Sequence, residues 1–551
     1  MPKLFILFSV IGLSMAIDDY IRFHPKHEAF RPYVPKWPSK YMIQGTLNLP
    51  YAELSEPFTA WYDAEMKSSR IDYYGGLSKT IQRGDLGEYG QHYMIAPMTN
   101  EEVINVQTCF TLNGTQDAVV EPQQALPDTS KFIHKGMKNW DNRNVDVWEL
   151  VDTHGIKINR YTLYVDSQTL HPVFYEMLGY NSLLGSHFDE YKLYYTIFAE
   201  DFPVDVFNIP TDMKCSGFPG PGHEARIVAN PMKEFIYPED HSHLHQMYSD
   251  FVKKFSKQNV GEEKKHTFKH NLRYINSMNR KRLTYRLAVN HFADNSPSEL
   301  RRLRGRLSGS NNKKHIKSNA KKFVSAVNVK DLPTQINWRL RGGVTPVKDQ
   351  AVCGSCWSFG TTGTIEGAVF MKTGHLIRLS QQNLMDCSWG FGNNGCDGGE
   401  EFRAYEWIIK HGGIATELNY GQYLGVDSFC HFNQSQAGAV LSGYVNVTSG
   451  SEDALKEAIA TKGPTSVGID AAHLSFVFYA NGVYYEPKCG NGPDDLDHAV
   501  LAAGYGTLDG EDYWLVKNSW STHWGNDGYV LMSRKDNNCG VATAATYVEL
   551  K

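Results

Sequence analysis

The sequence predicts an α+β chain made of successive units: an N-terminal antiparallel β region, a helical segment, and a C-terminal unit that combines helices with β structure. Three observations predict it. Aromatic and β-branched runs at 41–49, 58–64 and 191–198 recur between Pro, Gly and Glu breaks, which is strand composition. Phe251, Phe255, Phe268, Leu272 and Ile275 return at helical spacing. Further on, residues 353–361 read as a turn entering a helix, and 496–520 as a strand hairpin about Asp509-Gly510. At 551 residues the chain exceeds one domain, and a net charge of −5 gives no global argument for nucleic-acid binding.

Residues 1–16 read as a secretory signal, with Lys3, an apolar run over 4–13, and Ser14 and Ala16 at cleavage-site spacing. That run is too short to span a bilayer, and no other stretch is apolar for long enough. Residues 17–235 read as an antiparallel sheet of eight or more strands, curved or closed to hide its edges. Within it, 161–165 and 172–176 flank Asp166-Ser167-Gln168-Thr169, a hairpin turn. No nucleophile, base and metal-ligand set converges here. The region reads as an accessory domain for folding, targeting or substrate choice, and its outline resembles the curved sheets of bacterial lipid carriers.

Residues 236–303 read as helix followed by a short extended segment. Residues 304–331 read as a basic linker. From Arg301 to Lys322 there are nine Lys or Arg and no Asp or Glu, with turn formers at 308–312. Like charges this dense keep a chain solvated and extended, the state in which proteases cut it.

The chemistry lies further on. A thiol at a helix start feels the positive end of the helix dipole, which favours the thiolate that attacks carbonyls, and Cys356 stands there. His498 follows roughly 140 residues later, in an apolar strand run, as a base requires. The hairpin about Asp509-Gly510 carries Asn518 near cross-strand register with His498, where an amide can orient the imidazole. Gln350, just before the thiol, supplies an amide donor that joins the Cys356 N–H on an oxyanion. Singly, a Cys is usually a core thiol or half a disulfide, and a strand His is usually structural. Four matching roles in chain order outweigh those readings.

On these residues, 332–551 resembles papain-family cysteine peptidases of the cathepsin L type. Cys353-Gly354-Ser355-Cys356-Trp357 fits the nucleophile signature at every position, and 396–399, 463–471 and Asn518-Ser519-Trp520 fit as well. The resemblance implies a two-lobe fold with the cleft between the lobes: a helical lobe over about 332–440 carrying Cys356, and a β-barrel lobe holding His498 and Asn518. It implies Gln350, Cys356, His498 and Asn518 as the catalytic set, Trp520 as a shield over the Asn–His contact, and no metal or organic cofactor. Ser521 replaces the family's usual Gly; a small residue is kept, so little effect is expected.

Nine cysteines fit the oxidising compartment that the signal implies, and with Cys356 set aside the six others in the last unit allow fifteen pairings. The resemblance implies Cys353–Cys396, Cys387–Cys430 and Cys489–Cys539, which leaves Cys109 and Cys215 to each other. Sequons at Asn113, Asn433 and Asn446 are compatible with glycosylation.

Phe268, Asn271, Ile275 and Asn279 match part of the interspersed motif of cathepsin inhibitory propeptides, although Lys264 stands for its Arg and Val260 for its Glu. Residues 288–294 resemble the second propeptide motif, with Ala288 for its Gly. The order of parts resembles insect haemocyte proteinase precursors, in which the N-terminal portion and the peptidase end as two parts of one enzyme. The resemblance therefore implies a secretory-pathway zymogen, lysosomal or extracellular, that acts on proteins and peptides. Its own propeptide is the implied inhibitor, and its β domain stays associated.

Substrate contacts are implied at Gly398, Gly399 and Trp520. The pocket for the residue before the scissile one is implied at Glu400, Glu401, Gly468, Ala499 and Ala544. Small residues leave that pocket roomy, and glutamates usually turn to water, so an apolar preference with basic residues tolerated is expected. Two other readings stay open: a non-catalytic binding protein on the same scaffold, and a β domain that is the functional centre as a carrier or receptor-binding module.

Overall fold

The computed structural model describes residues 34–218, 232–236, 242–307 and 318–551. The signal at 1–16 and the middle of the basic linker, 308–317, lie outside the described residues.

Among the described residues, twelve strands form the N-terminal sheet. They are β1 (Lys40–Leu49), β2 (Leu54–Asp63), β3 (Ser68–Tyr73), β4 (Ser78–Arg83), β5 (Gln91–Met98) and β6 (Val106–Asn113), then β7 (Ile133–Trp140), β8 (Arg143–His154), β9 (Lys157–Asp166), β10 (Pro172–Asn181), β11 (Ser186–Ala199) and β12 (Ser216–Gly217). β1 lies mid-sheet between β2 and β11, so two meanders spread from it: β2 to β6 on one side, β11 back to β7 on the other. Among the described residues the ladder is open, running from β12 to β7. The turn over 166–169 sits between β9 and β10, with Asp166 Oδ1 accepting from the Gln168 and Thr169 amides. Every pairing is antiparallel except β12 on β6, which the Cys109–Cys215 disulfide fastens. Burial alternates residue by residue along β1, placing Tyr41, Ile43 and Leu47 inside.

Helix α1 (Ser242–Lys254) and helix α2 (Glu262–Arg280) follow. α2 buries Phe268, Leu272, Ile275 and Met278 and also Lys269 and Arg273, which a lone amphipathic helix would leave in water. Their partners explain it. Arg273 donates to Asp189 (2.7 Å) and to Glu234 (2.7 Å), Lys269 meets Asp189 at 3.1 Å, and Arg280 forks onto fully buried Glu56. Buried charge is tolerated only when paired in this way. Despite burial, which alone would raise it, Asp189 stays far below the usual carboxylate range, because Arg273 and Lys269 hold it ionised.

The C-terminal unit packs helix α3 (Cys356–Thr373) against a sheet whose two outermost strands come from upstream. Tyr285–Leu287 pairs with Tyr479–Tyr484 at one end, and Lys321–Lys322 with Leu441–Asn446 at the other. Between them the order is Tyr529–Ser533, Glu511–Lys517, His498–Leu508, Thr465–Ile469 and Thr546–Leu550. α3 lies on this sheet so closely that Gly360, Gly363 and Gly367 face Ser466, Leu501 and Pro464 with no room for a Cβ. Gln381–Cys387 and α4 (Glu401–His411) complete the helical side. Disulfides join Cys353 to Cys396, Cys387 to Cys430 and Cys489 to Cys539.

The linker departs from a solvated strand at its start. Gly305 is buried and Arg306 nearly so, because carboxylates of the C-terminal unit receive the arginines: Arg304 meets Asp497 at 2.9 Å and Arg306 meets Glu401 at 3.4 Å. Among the described residues, no helix is long and apolar enough to cross a membrane.

Candidate active site

Cys356 is the first residue of α3, fully buried and free of any disulfide. His498 opens the strand His498–Leu508, whose hairpin turns at Asp509 and Gly510, both at positive φ, and returns along Glu511–Lys517. Asn518 is the next residue. Its Oδ1 lies 2.8 Å from His498 Nε2, which fixes Nε2 as the donor and leaves Nδ1 to accept. Nδ1 is buried with no hydrogen-bond partner. Trp520 covers this contact, its ring 4.8 Å from the imidazole, and Phe476 and Trp524 pack edge-on behind it.

Gln350 is fully buried. Its Nε2 donates to the Leu303 carbonyl (2.9 Å) and the Cys353 carbonyl (2.8 Å), while its Oε1 accepts from Ser519 Oγ at 2.6 Å. Ser519 thus orients the amide, a role no sequence pattern reveals. Ser521 has φ +68°, in the left-handed region, so what a Gly there relieves is backbone strain rather than bulk. The expectation of little effect from keeping a small residue is revised accordingly.

Upstream chain occupies the cleft. The Gly305 amide donates to Cys356 Sγ (3.3 Å), so an N–H rather than a carbonyl carbon faces the sulfur. Gly305 is required there, since a Cβ would lie 1.8 Å from the Gly354 carbonyl oxygen. Gly399 accepts from Leu307 N and donates to Gly305 O, and the Asp497 carbonyl accepts from Arg306 N. Gly398, at φ +110°, brings the strand close enough for this pairing.

The covered site is electrically silent. Burial pushes the Cys356 thiol up to about 12, with the Ala499 and Gly305 amides drawing it partly back. Burial pushes His498 down to about 4, opposed by its bond to Asn518 and reinforced by Arg304. Both groups are neutral near pH 7, and a thiol with an imidazole is a poor nucleophile beside a thiolate with an imidazolium.

Glu400 and Glu401 do not turn to water. Both are buried, the first bonded to Arg403 (2.6 Å) and the second facing Arg306. Gly468 lies against the Arg306 guanidinium, Ala499 is buried next to His498, and Ala544 is half-buried two residues before Thr546, which pairs with Ser466. Asn113, Asn433 and Asn446 are exposed.

The helical segment clamps this arrangement. Lys264 pairs with Glu299 at 2.6 Å, inside a capping box that Glu299 makes with Ser296. Asn271 donates to the Ala293 carbonyl, Asn279 exchanges two bonds with Leu287, and Asn290 donates to the Val477 carbonyl across the interface. Phe292 meets Trp520 edge-on at 5.6 Å.

The papain family cysteine protease profile matches residues 332–549, and the cathepsin propeptide inhibitor domain matches 248–300. A cathepsin L-like peptidase of Aedes aegypti is 52% identical over 269 residues, covering 48% of this chain and 78% of that protein. Cathepsin L1 of Drosophila melanogaster is 44% identical over 310 residues, 54% of this chain and 81% of its own length. The digestive procathepsin L 3 structure from Tenebrio molitor larval midgut superposes with a TM-score of 0.51 at 36% identity, covering 56% of this chain and 99% of that one.

Proposed function

The chain belongs to the papain family of cysteine proteases, as a cathepsin L-like precursor carrying its own propeptide inhibitor domain, and on that premise we propose how its residues divide the work. Cys356 is the nucleophile and His498 its base: Nδ1 takes the Sγ proton, and the thiolate attacks the peptide carbonyl. Gln350 Nε2 and the Cys356 N–H hold the oxyanion, His498 returns the proton to the leaving amine, and water then hydrolyses the thioester. Asn518 positions the imidazole and Trp520 keeps water off that bond. The observation that carries this reading is the buried His498 Nε2–Asn518 pair with Nδ1 left unpartnered, together with a buried free thiol bonded by the amide of Ala499, the residue after His498.

Residues 236–303, extended by the plug at 304–307, act as the inhibitor, with processing in the linker before 332. Residues 17–235 act as an accessory domain that stays with the peptidase after cleavage. The route is secretory, ending in lysosomes or outside the cell; substrates are proteins and peptides. Acid-processed protein should cleave peptides and be labelled by a thiol-directed epoxide, and Cys356→Ala should lower kcat/KM by roughly ten-thousand-fold or more. A Cys356→Ala protein that folds and retains turnover overturns the assignment.

A further inference from the structure

The plug shows what the pocket beside the nucleophile is built to hold. Gly305 lies over Cys356 Sγ, and the next residue, Arg306, turns its side chain inward. Backbone pairing on both sides of Arg306, through Gly399 and the Asp497 carbonyl, fixes that direction. Its guanidinium covers Gly468: a Cβ there would meet Nε at 2.8 Å and Cζ at 3.1 Å, so only glycine leaves this space. At the far side stands Glu401, its side chain 4% exposed, with Oε1 3.4 Å from Arg306 Nε.

The two carboxylates of the pocket differ. Glu400 is already matched by Arg403 of its own helix at 2.6 Å. Glu401 Oε1 is buried and has no hydrogen bond, so the ionic contact with Arg306 is what compensates it. When the plug leaves, Glu401 loses its cationic partner and faces the vacated pocket. A carboxylate in a confined cleft gains more from an opposite charge than one on the open surface, so a cation entering the pocket is favoured.

We propose that the plug, whose Gly305 N–H faces the sulfur and whose Arg306 bridges Gly399 in parallel, runs through the cleft opposite to a substrate, and that the pocket it fills is a cation seat: the mature peptidase prefers Arg or Lys as the residue preceding the one whose carbonyl is attacked, and Glu401 is the residue that sets the preference. This rests on the catalytic reading above and replaces the apolar preference expected of glutamates that face water. Arg306 in the precursor is then a built-in occupant of the specificity pocket, held by the same contact a substrate would use.

The test uses the acid-processed full chain, its active sites counted with a thiol-directed epoxide. Two fluorogenic dipeptide substrates are compared, identical except for Arg or Leu at the position in question. The ratio of kcat/KM for Arg over Leu should be one or more in the wild type and fall at least tenfold in Glu401→Gln. A wild-type ratio below about one hundredth overturns the proposal without any variant, as does a ratio that Glu401→Gln leaves unchanged. Turnover of the Leu substrate alone refutes the cation seat and leaves the catalytic reading standing. Failure of both substrates together with failure of epoxide labelling removes the catalytic reading, and the cation seat falls with it.

Discussion

The helical segment is held on two sides by different physics. Against the N-terminal sheet, α2 uses buried ion pairs: Arg280 with Glu56, and Arg273 and Lys269 with Asp189. Against the C-terminal unit, the segment uses a three-residue strand, the Asn290 amide, the Phe292–Trp520 edge contact and a half-buried neutral His291. At the first interface Asp189 stays ionised far below the usual carboxylate range, but burial also holds two α2 histidines neutral there, His266 pushed down to about 3 and His270 lowered; the second interface carries one such histidine and no buried ion pair of α2. The two faces therefore fail differently: the first when a buried charge loses its partner, the second when a packed ring is removed.

The largest effect should come from stranding a charge. Arg280→Ala leaves Glu56 buried and alone, and should destabilise the full chain by about 3–5 kcal/mol in urea unfolding. The double variant Arg280→Met with Glu56→Leu should recover most of that loss. No recovery would mean that shape, not charge, holds this face.

On the other face, Phe292→Ala removes a buried ring from Trp520, a loss of about 3 kcal/mol. Epoxide labelling of Cys356 in the uncut precursor at neutral pH should then accelerate by about a hundredfold for 3 kcal/mol. An unchanged rate would place the rate-limiting grip elsewhere.

Acid acts on buried histidines of both faces, and on the peptidase side the group is His291. Burial pushes His291 down to about 4, with Lys257 and His523 adding to the fall, whereas a released histidine titrates at about 6.5. The released form therefore binds the extra proton, and docking weakens as pH drops from about 6.5 toward 4. Glu299 works in a lower window. Burial raises it, but its bonds to Lys264 and Ser296 win, so its contribution is full above the usual carboxylate value and is lost as pH falls from there through its lowered value. His291→Gln should move the midpoint of acid activation down by roughly half to one pH unit. A midpoint that stays put would exclude His291 as the sensor.

The smallest effect is local. Ser521→Gly relieves a left-handed φ and should raise stability by about 1 kcal/mol, read as a modest increase in Tm of the processed enzyme. A fall in Tm would show that the Ser521 hydroxyl, which accepts from the His523 amide, matters more than the backbone strain.

The sequence by itself determined what local rules govern: the Cys356 turn-to-helix start, the Asp509-Gly510 hairpin that brings Asn518 to His498, the amphipathic run of α2 and the alternation along β1. Each depends on neighbours a few residues apart, or on one turn. It did not reveal the buried state of Glu400 and Glu401, the plug made by Gly305 and Arg306, the Ser519 contact that aims Gln350, or the pairing of α2's basic residues with Asp189 and Glu56. Apart from Glu400, which Arg403 of its own helix matches, all of these join residues far apart in the chain. An arginine-rich stretch looks solvated until the carboxylates it meets are known, because burying a charge is unfavourable alone and acceptable in a pair. Only the tertiary structure supplies the partner, and with it the sign of the free energy.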